Sequence, residues 1–152
     1  MSTKHRGSPR ENRALDTFIK LLRASDTVSR RTREVFTAAG LTETRFGVLE
    51  ALYHLGPLSS GELGRKVLKS AGNLTLVIDN LVRDGLAERR TGEYDRRMKT
   101  IVLTRRGHEL VESILPAHVA LIADEMAVLT PEEQTELGRL CKKLGLGREI
   151  PS

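Results

Sequence analysis

Between Thr42 and Thr104 the spacing of apolar residues changes period, and that change leaves few folds open. Thr42, a good helix cap, precedes Phe46, Leu49, Leu52 and Tyr53 at helical spacing, and Gly56-Pro57 ends the stripe. Ser59 and Glu62 then stand three apart, as a capping box needs, ahead of a short helix with Leu63, Val67 and Leu68 turned inward. After a break at Lys69-Ser70-Ala71-Gly72, the residues Leu74, Val77, Ile78 and Leu81 fall at i, i+3, i+4 and i+7, and Asp84-Gly85 stops that helix. From Leu86 the period shortens. Leu86–Arg90 leads into the turn-rich Thr91-Gly92-Glu93-Tyr94-Asp95, and the β-branched Thr100-Ile101-Val102-Leu103 leads out, which predicts a β-hairpin. Three short helices and a hairpin predict a winged helix-turn-helix over residues 42–104. In such a unit the last helix enters the major groove of duplex DNA and the hairpin touches an adjacent groove or the backbone.

Both flanks read as helical, so the expected class is mainly α with a small β-hairpin wing. Residues 1–10 are polar and are expected to form a flexible basic arm. Leu15, Phe18, Ile19 and Leu22 make one apolar stripe, Ser25–Arg33 is polar, and Val35, Phe36 and Ala39 resume before Gly40. One helix over about 10–39 is expected. A helix that long, apolar at its ends and polar in the middle, is more often shared with a partner chain than buried in a small core. Thr104 is expected to cap a fifth helix through Leu110, Val111, Ile114 and Leu115, kinked at Pro116 and continuing through Val119, Leu121, Ile122 and Met126. Thr130-Pro131-Glu132-Glu133 has the cap, the proline and the carboxylate of a helix start. The last helix then carries Leu137, Leu140, Cys141 and Leu144 to Gly145, and 146–152 is a tail.

The chain has 152 residues and a formal net charge of +5, unevenly spread. Residues 1–58 carry net +4, residues 59–106 net +5, and residues 107–152 net −4. A polyanion is expected against the middle, with the acidic rear elsewhere. Three Phe, two Tyr and no Trp argue against single-strand binding, which stacks bases on aromatic rings. No run of about 18 apolar residues suggests a membrane span, and no apolar stretch follows the basic start as a secretory signal would. One cysteine permits no internal disulfide and no cysteine-cluster metal site, and a cytoplasmic setting is expected.

Several of these stretches resemble the MarR family of winged helix-turn-helix transcriptional regulators, over about residues 11–145. The run Asp84-Gly85-Leu86-Ala87-Glu88-Arg89, then Asp95-Arg96-Arg97, then Val102-Leu103-Thr104 is similar to that family's wing signature, and Ser70–Thr75 to its recognition-helix entry. Leu52-Tyr53-His54, Val77–Leu81 and Leu115-Pro116-x-His118 are closest in pattern to its quinone-responsive, MhqR-like branch. The resemblance implies a homodimer with one domain per chain over 11–145. Residues 11–41 and 105–145 would interleave with the partner, and two heads, each 42–104, would meet a pseudo-palindromic operator. It also implies a small-molecule effector held between the dimerisation helices and the head, and Phe18, Leu22, Phe46, Tyr53 and His54 stand at matching places. Each of these also reads as an ordinary core residue.

On the fourth helix the apolar stripe fixes the buried face, so Gly72, Leu76, Asp79 and Arg83 lie opposite, flanked by Asn73 and Asn80. Asn73 is suited to an adenine edge and Leu76 to a thymine methyl. Ser70 and Thr75 are suited to phosphates or bases. Asp79 sits badly against DNA and is expected to pair with Arg83 at i+4. In the hairpin Arg89, Arg90, Arg96, Arg97 and Lys99 crowd about a dozen residues, a gathering of like charge that suits a polyanion. The resemblance implies that Asp95 braces Arg97 for the minor groove. Ser59, Ser60, Arg65 and Lys69 are candidates for holding the DNA backbone. The alternatives are a solvated helix face and a wing whose salt bridge does nothing for binding.

His108 and His118 are ten apart, not at the i, i+4 spacing of a helical metal pair, so neither a metal nor a cofactor is expected. Cys141 reads as a small core or dimer-interface residue, or alternatively as a redox sensor with Lys142 and Lys143 beside it. No Gly-rich phosphate loop, G-x-S-x-G or H-E-x-x-H occurs, so no enzyme is expected. The leading reading is a repressor released by an aromatic, phenolic or quinone-like ligand. The alternatives are a ligand-independent architectural DNA-binding protein and a protein-interaction adaptor.

Overall fold

The computed structural model describes residues 4–67 and 73–147. The chain divides into two compact units, Arg33–His118 and a second made of Met1–Thr32 with Val119–Ser152.

In the first unit, α2 (Glu34–Ala38) leads to α3 (Glu43–Leu55), α4 (Ser60–Lys66) and α5 (Leu74–Arg83). The caps are the ones the side-chain chemistry calls for. The Thr42 hydroxyl accepts from the Arg45 amide, and Gly56 ends α3 at positive φ. Ser59 and Glu62 exchange both bonds of a capping box at the start of α4. Gly85, also at positive φ, turns the chain out of α5.

Strands β1 (Ala87–Thr91) and β2 (Lys99–Leu103) then pair antiparallel, with Ala87 opposite Leu103 and Thr91 opposite Lys99. Leu58 adds a one-residue bridge to β2. Its amide donates to the Ile101 carbonyl at 3.1 Å and its carbonyl accepts from the Ile101 amide at 2.7 Å. The sequence reading missed that bridge, because a single residue after Pro57 has no period to read. The hairpin is thereby fastened to the α3–α4 connection.

The core lies under these elements. Leu49, Leu63, Ile78, Leu81 and Ile101 are fully buried, each contributing about 1.5–3 kcal/mol of apolar burial. Helix α6 (Arg105–Met126) enters at Thr104, whose hydroxyl accepts from the Gly107 amide at 3.1 Å and donates to the Gly85 carbonyl at 2.6 Å. The same hydroxyl therefore caps α6 and ties it to the end of α5. Val111 and Ile114 of α6 close the core. A stacked pair, Phe36 and Phe46 at 4.9 Å, meets the buried His118 edge-on at 5.6 and 5.0 Å.

The second unit holds α1 (Pro9–Thr32), the end of α6 and α7 (Pro131–Leu146). The single helix expected over 10–39 is two. It breaks at Arg33, between α1 and α2, one residue after Thr32, whose hydroxyl donates to the Val28 carbonyl at 2.8 Å. Helix α1 starts at Pro9 with the Ser8 hydroxyl accepting from the Glu11 amide, so the helix takes in the last residues of the expected arm. Residues before it are also held, since the Asn12 side chain bonds both the amide and the carbonyl of Gly7. Helix α6 continues past Pro116 without interruption. Thr130 and Glu133 form the capping box of α7, with Pro131 at its first turn. Helix α7 passes Gly145 and ends instead at Gly147, which takes the positive φ. Within α7, the Arg139 guanidinium bonds both oxygens of Glu136 and holds that carboxyl below its ordinary range.

The second unit leaves much apolar surface open within one chain. No described residue of α7 is buried, and Leu137, Leu140 and Leu144 are 40%, 46% and 65% exposed. Phe18 and Leu22 of α1 and Val119 of α6 are also exposed. Among the described residues, no single helix is long and apolar enough to cross a membrane.

Candidate nucleic-acid interface

Helix α5 divides as its sequence spacing predicts. Leu74, Ile78 and Leu81 are buried, while Asn73, Thr75, Leu76, Asp79 and Arg83 are exposed and Asn80 is half-buried. Asn73 stands at the cap position but makes no capping bond, so its amide is left for another partner. Leu76 is 58% exposed on an otherwise polar face, where an apolar side chain contributes nothing to the core. Ser70, Lys69 and Gly72, named with these residues from the sequence, lie outside the described residues, as does Leu68.

One expected contact is corrected. Asp79 does not pair with Arg83 at i+4. Its carboxylate takes the Arg89 guanidinium from β1, and Arg83 turns to its neighbour Asp84 at 3.5 Å. The turn at Asp84-Gly85 sends the chain back along α5, so β1 presents Arg89 to Asp79 from the side. A spacing rule confined to one helix has no signal for a partner ten residues on, across a turn. Asp84 itself gathers further cations, with Arg45 at 3.8 Å and the Arg106 side chain donating to its carbonyl at 3.2 Å.

Strand β1 is exposed from Glu88 to Thr91. Arg90 lies 3.5 Å from Glu88. At the hairpin tip Asp95 accepts from the Arg97 amide at 2.9 Å and from the Arg97 Nε at 3.3 Å. One carboxylate oxygen thus holds both the backbone amide and the guanidinium Nε of the arginine. The Arg97 side chain remains 93% exposed, so the brace aims it outward. Arg96 and Lys99 are exposed, with no ion-pair partner among the described residues. The tip also carries two exposed side chains that the sequence reading passed over, Tyr94 and Met98.

Of the residues assigned to the backbone, Ser60 and Arg65 are exposed on α4. Ser59 is half-buried, and its hydroxyl is already committed to the Glu62 amide at 3.1 Å. The residues matched to an effector site are placed differently from one another. Phe46 is a core residue on the stacked pair. Tyr53 is half-buried, His54 is exposed, and the Tyr53 ring lies 5.2 Å from that of His54 and 4.9 Å from that of His108. An open groove in the same unit is lined by Leu41, Arg45, Arg83, Asp84, Arg106 and Glu109 among others, and by none of these three. Phe18 and Leu22 are exposed on α1 of the second unit. Cys141 is exposed rather than packed in a core. Among the described residues no three His, Cys, Asp or Glu side chains cluster as metal ligands would.

Comparisons with known proteins point the same way as this geometry. The sequence pattern of the MarR family matches residues 41–99, from the start of α3 to the start of β2. The transcriptional regulator MhqR of Bacillus subtilis is 34% identical over 134 residues, covering 88% of this chain and 92% of that protein. A MarR-family regulator from Streptomyces coelicolor, solved in complex with DNA, superposes with a TM-score of 0.80 over 97% of this chain and 93% of its own, at 21% identity. BpsR of Bordetella bronchiseptica, whose structure concerns regulation of its DNA binding by 6-hydroxynicotinic acid, superposes at 0.74 with 25% identity, over 82% of this chain and 89% of its own.

Proposed function

The chain belongs to the MarR family of transcriptional regulators, and from that premise we propose that it is a homodimeric repressor that binds a specific duplex operator and releases it on taking up a small aromatic, phenolic or quinone-like ligand. One observation carries the reading: the exposed face of α5 and the cations of the hairpin stand in a single unit. Asn73 and Leu76 are uncharged and placed to meet base edges in a major groove. Arg97, held outward by Asp95, enters the neighbouring minor groove. Arg65, Arg96 and Lys99 neutralise phosphates, which supplies affinity without sequence preference. Family members are regulators and not enzymes, so binding is the whole of the activity.

Dimerisation is supported by the apolar side chains left open in the second unit, Leu137, Leu140 and Leu144 on α7 and Phe18 and Leu22 on α1. A patch of that kind marks an association surface. A dimer would present two heads to a pseudo-palindromic site whose half-sites lie about one helical turn apart. Ligand response is supported by BpsR, whose DNA binding 6-hydroxynicotinic acid regulates. A ligand can act here only by preferring the arrangement in which the two heads do not fit the half-site spacing. Phe18, Leu22, Phe46, Tyr53 and His54 are the side chains proposed to shape that response.

The test is to select bound duplexes from a random pool and titrate phenols, quinones and pyridine carboxylates into the complex with the selected site. A repressor of this kind loses operator affinity with at least one class. If every compound leaves affinity unchanged, the ligand part of the reading is wrong and a ligand-independent DNA-binding protein takes its place.

A further inference from the structure

The pair between Asp79 and Arg89 stands on the exposed face of α5, unlike the Arg45–Asp84 pair, which joins α3 to the turn that follows α5. Arg97 is held by Asp95 two residues away, within its own turn, and points outward. Among the described residues Arg90 pairs with Glu88, on its own strand. Asp79, in contrast, ties α5 to β1. It stands three residues after Leu76 and four before Arg83, in the middle of the helix face assigned to the major groove. Both side chains of the pair are about half exposed, so the contact adds little to the stability of the fold. A carboxylate on that face is also unfavourable beside phosphates. Neither stability nor affinity accounts for it.

Resting on the reading of α5 as the DNA-contacting helix, we propose that Asp79 is a specificity-determining positioning residue. It holds Arg89 along the side of α5 and so keeps that cation off the phosphates of any duplex. Arg89 sits on an exposed strand among other wing cations, where a free guanidinium would find a phosphate on any sequence. Such a contact strengthens non-specific binding, which depends on phosphates alone. It adds less at the operator, where base contacts have already fixed the register of the head. Withholding Arg89 therefore widens the gap between the two, and leaves discrimination to the uncharged Asn73 and Leu76.

The experiment is a salt titration of the full-length protein on its selected duplex and on a scrambled duplex of equal length. The variants are Asp79→Asn, Asp79→Glu and the double variant Asp79→Asn/Arg89→Gln, each checked for folding by circular dichroism. Asp79→Asn is expected to bind scrambled duplex about tenfold more tightly per head near 0.1 M salt, with a salt slope steeper by about one counterion for each head on the duplex, and to show a smaller selected-to-scrambled ratio. Asp79→Glu, which keeps the carboxylate, should restore the wild-type slope. The double variant should lose the added affinity, because the released cation is gone. An Asp79→Asn slope equal to wild type overturns the proposal, and so does a gain that survives in the double variant. A wild-type protein that prefers no duplex sinks the reading of α5 and this inference with it. A wild type that discriminates, alongside an unchanged Asp79→Asn, sinks this inference alone.

Discussion

At Gly107 the fold has no room for a side chain. A Cβ there would overlap the Leu86 carbonyl, because α6 begins its first turn directly against the end of the α5–β1 connection. Gly107→Ala removes a helix-weakening residue, which elsewhere would stabilise, yet here the clash with backbone dominates. A loss of about 1–3 kcal/mol in urea unfolding is expected, and a stabilised variant would show that the backbones approach less closely. Arg97 and Asp95 make a second residue-scale case. Arg97→Ala should weaken binding to all duplexes by about 1–3 kcal/mol if the side chain sits in a minor groove. Asp95→Ala should act in the same direction and less, because the cation remains but is no longer aimed. Binding titrations in which both variants match wild type would remove the wing from the interface. The Asp95–Arg97 brace is legible in the sequence, since the family pattern places both residues within three positions. The Asp79–Arg89 pair is not, because it depends on how a strand returns past a helix.

At the scale of elements, α5 and the hairpin divide the work of binding. Replacing Asn73 or Leu76 by Ala should change which sequences are preferred and leave salt-driven binding nearly intact. Replacing Arg65, Arg96 or Lys99 should lower affinity across sequences, with a salt slope shallower by about one counterion per head, and so about two for the dimer, if each side chain meets one phosphate. Operator-to-scrambled ratios that stay constant for Asn73→Ala and Leu76→Ala would mean that α5 is not the reader, and an architectural protein would describe the chain better. Elements with strong local signals are readable from sequence. The stripe of α5, the capping boxes of α4 and α7 and the β-branched run of β2 each carry their cause within a few residues. The break at Arg33 is hidden, because no Gly or Pro marks it and the apolar residues resume after it. The Leu58 bridge is hidden for a different reason: its partner, Ile101, is far away in sequence.

For the whole molecule, the charge division along the chain is the coarsest guide. The middle segment holds the helix and hairpin proposed for DNA, and the acidic rear holds α7 with its open leucines. Which surfaces those leucines cover is not a property of one chain, so periodicity says that α7 is amphipathic without saying what it meets. If α1 and α7 form the proposed dimer, truncation before Thr130 should yield monomers or insoluble protein, since Leu137, Leu140 and Leu144 are lost from the interface. Sedimentation of a well-folded wild-type monomer at micromolar concentration would rule this out.

The most direct measurement joins the head and the dimer in one result. Full-length protein is used to select duplexes from a random pool at near-physiological salt, and the enriched sequence is then compared with its scrambled form. The expected result is a pseudo-palindrome with half-sites about one helical turn apart, bound at least about a thousandfold more tightly than the scrambled duplex. Enrichment without any common sequence, with equal affinity for both duplexes, would contradict it.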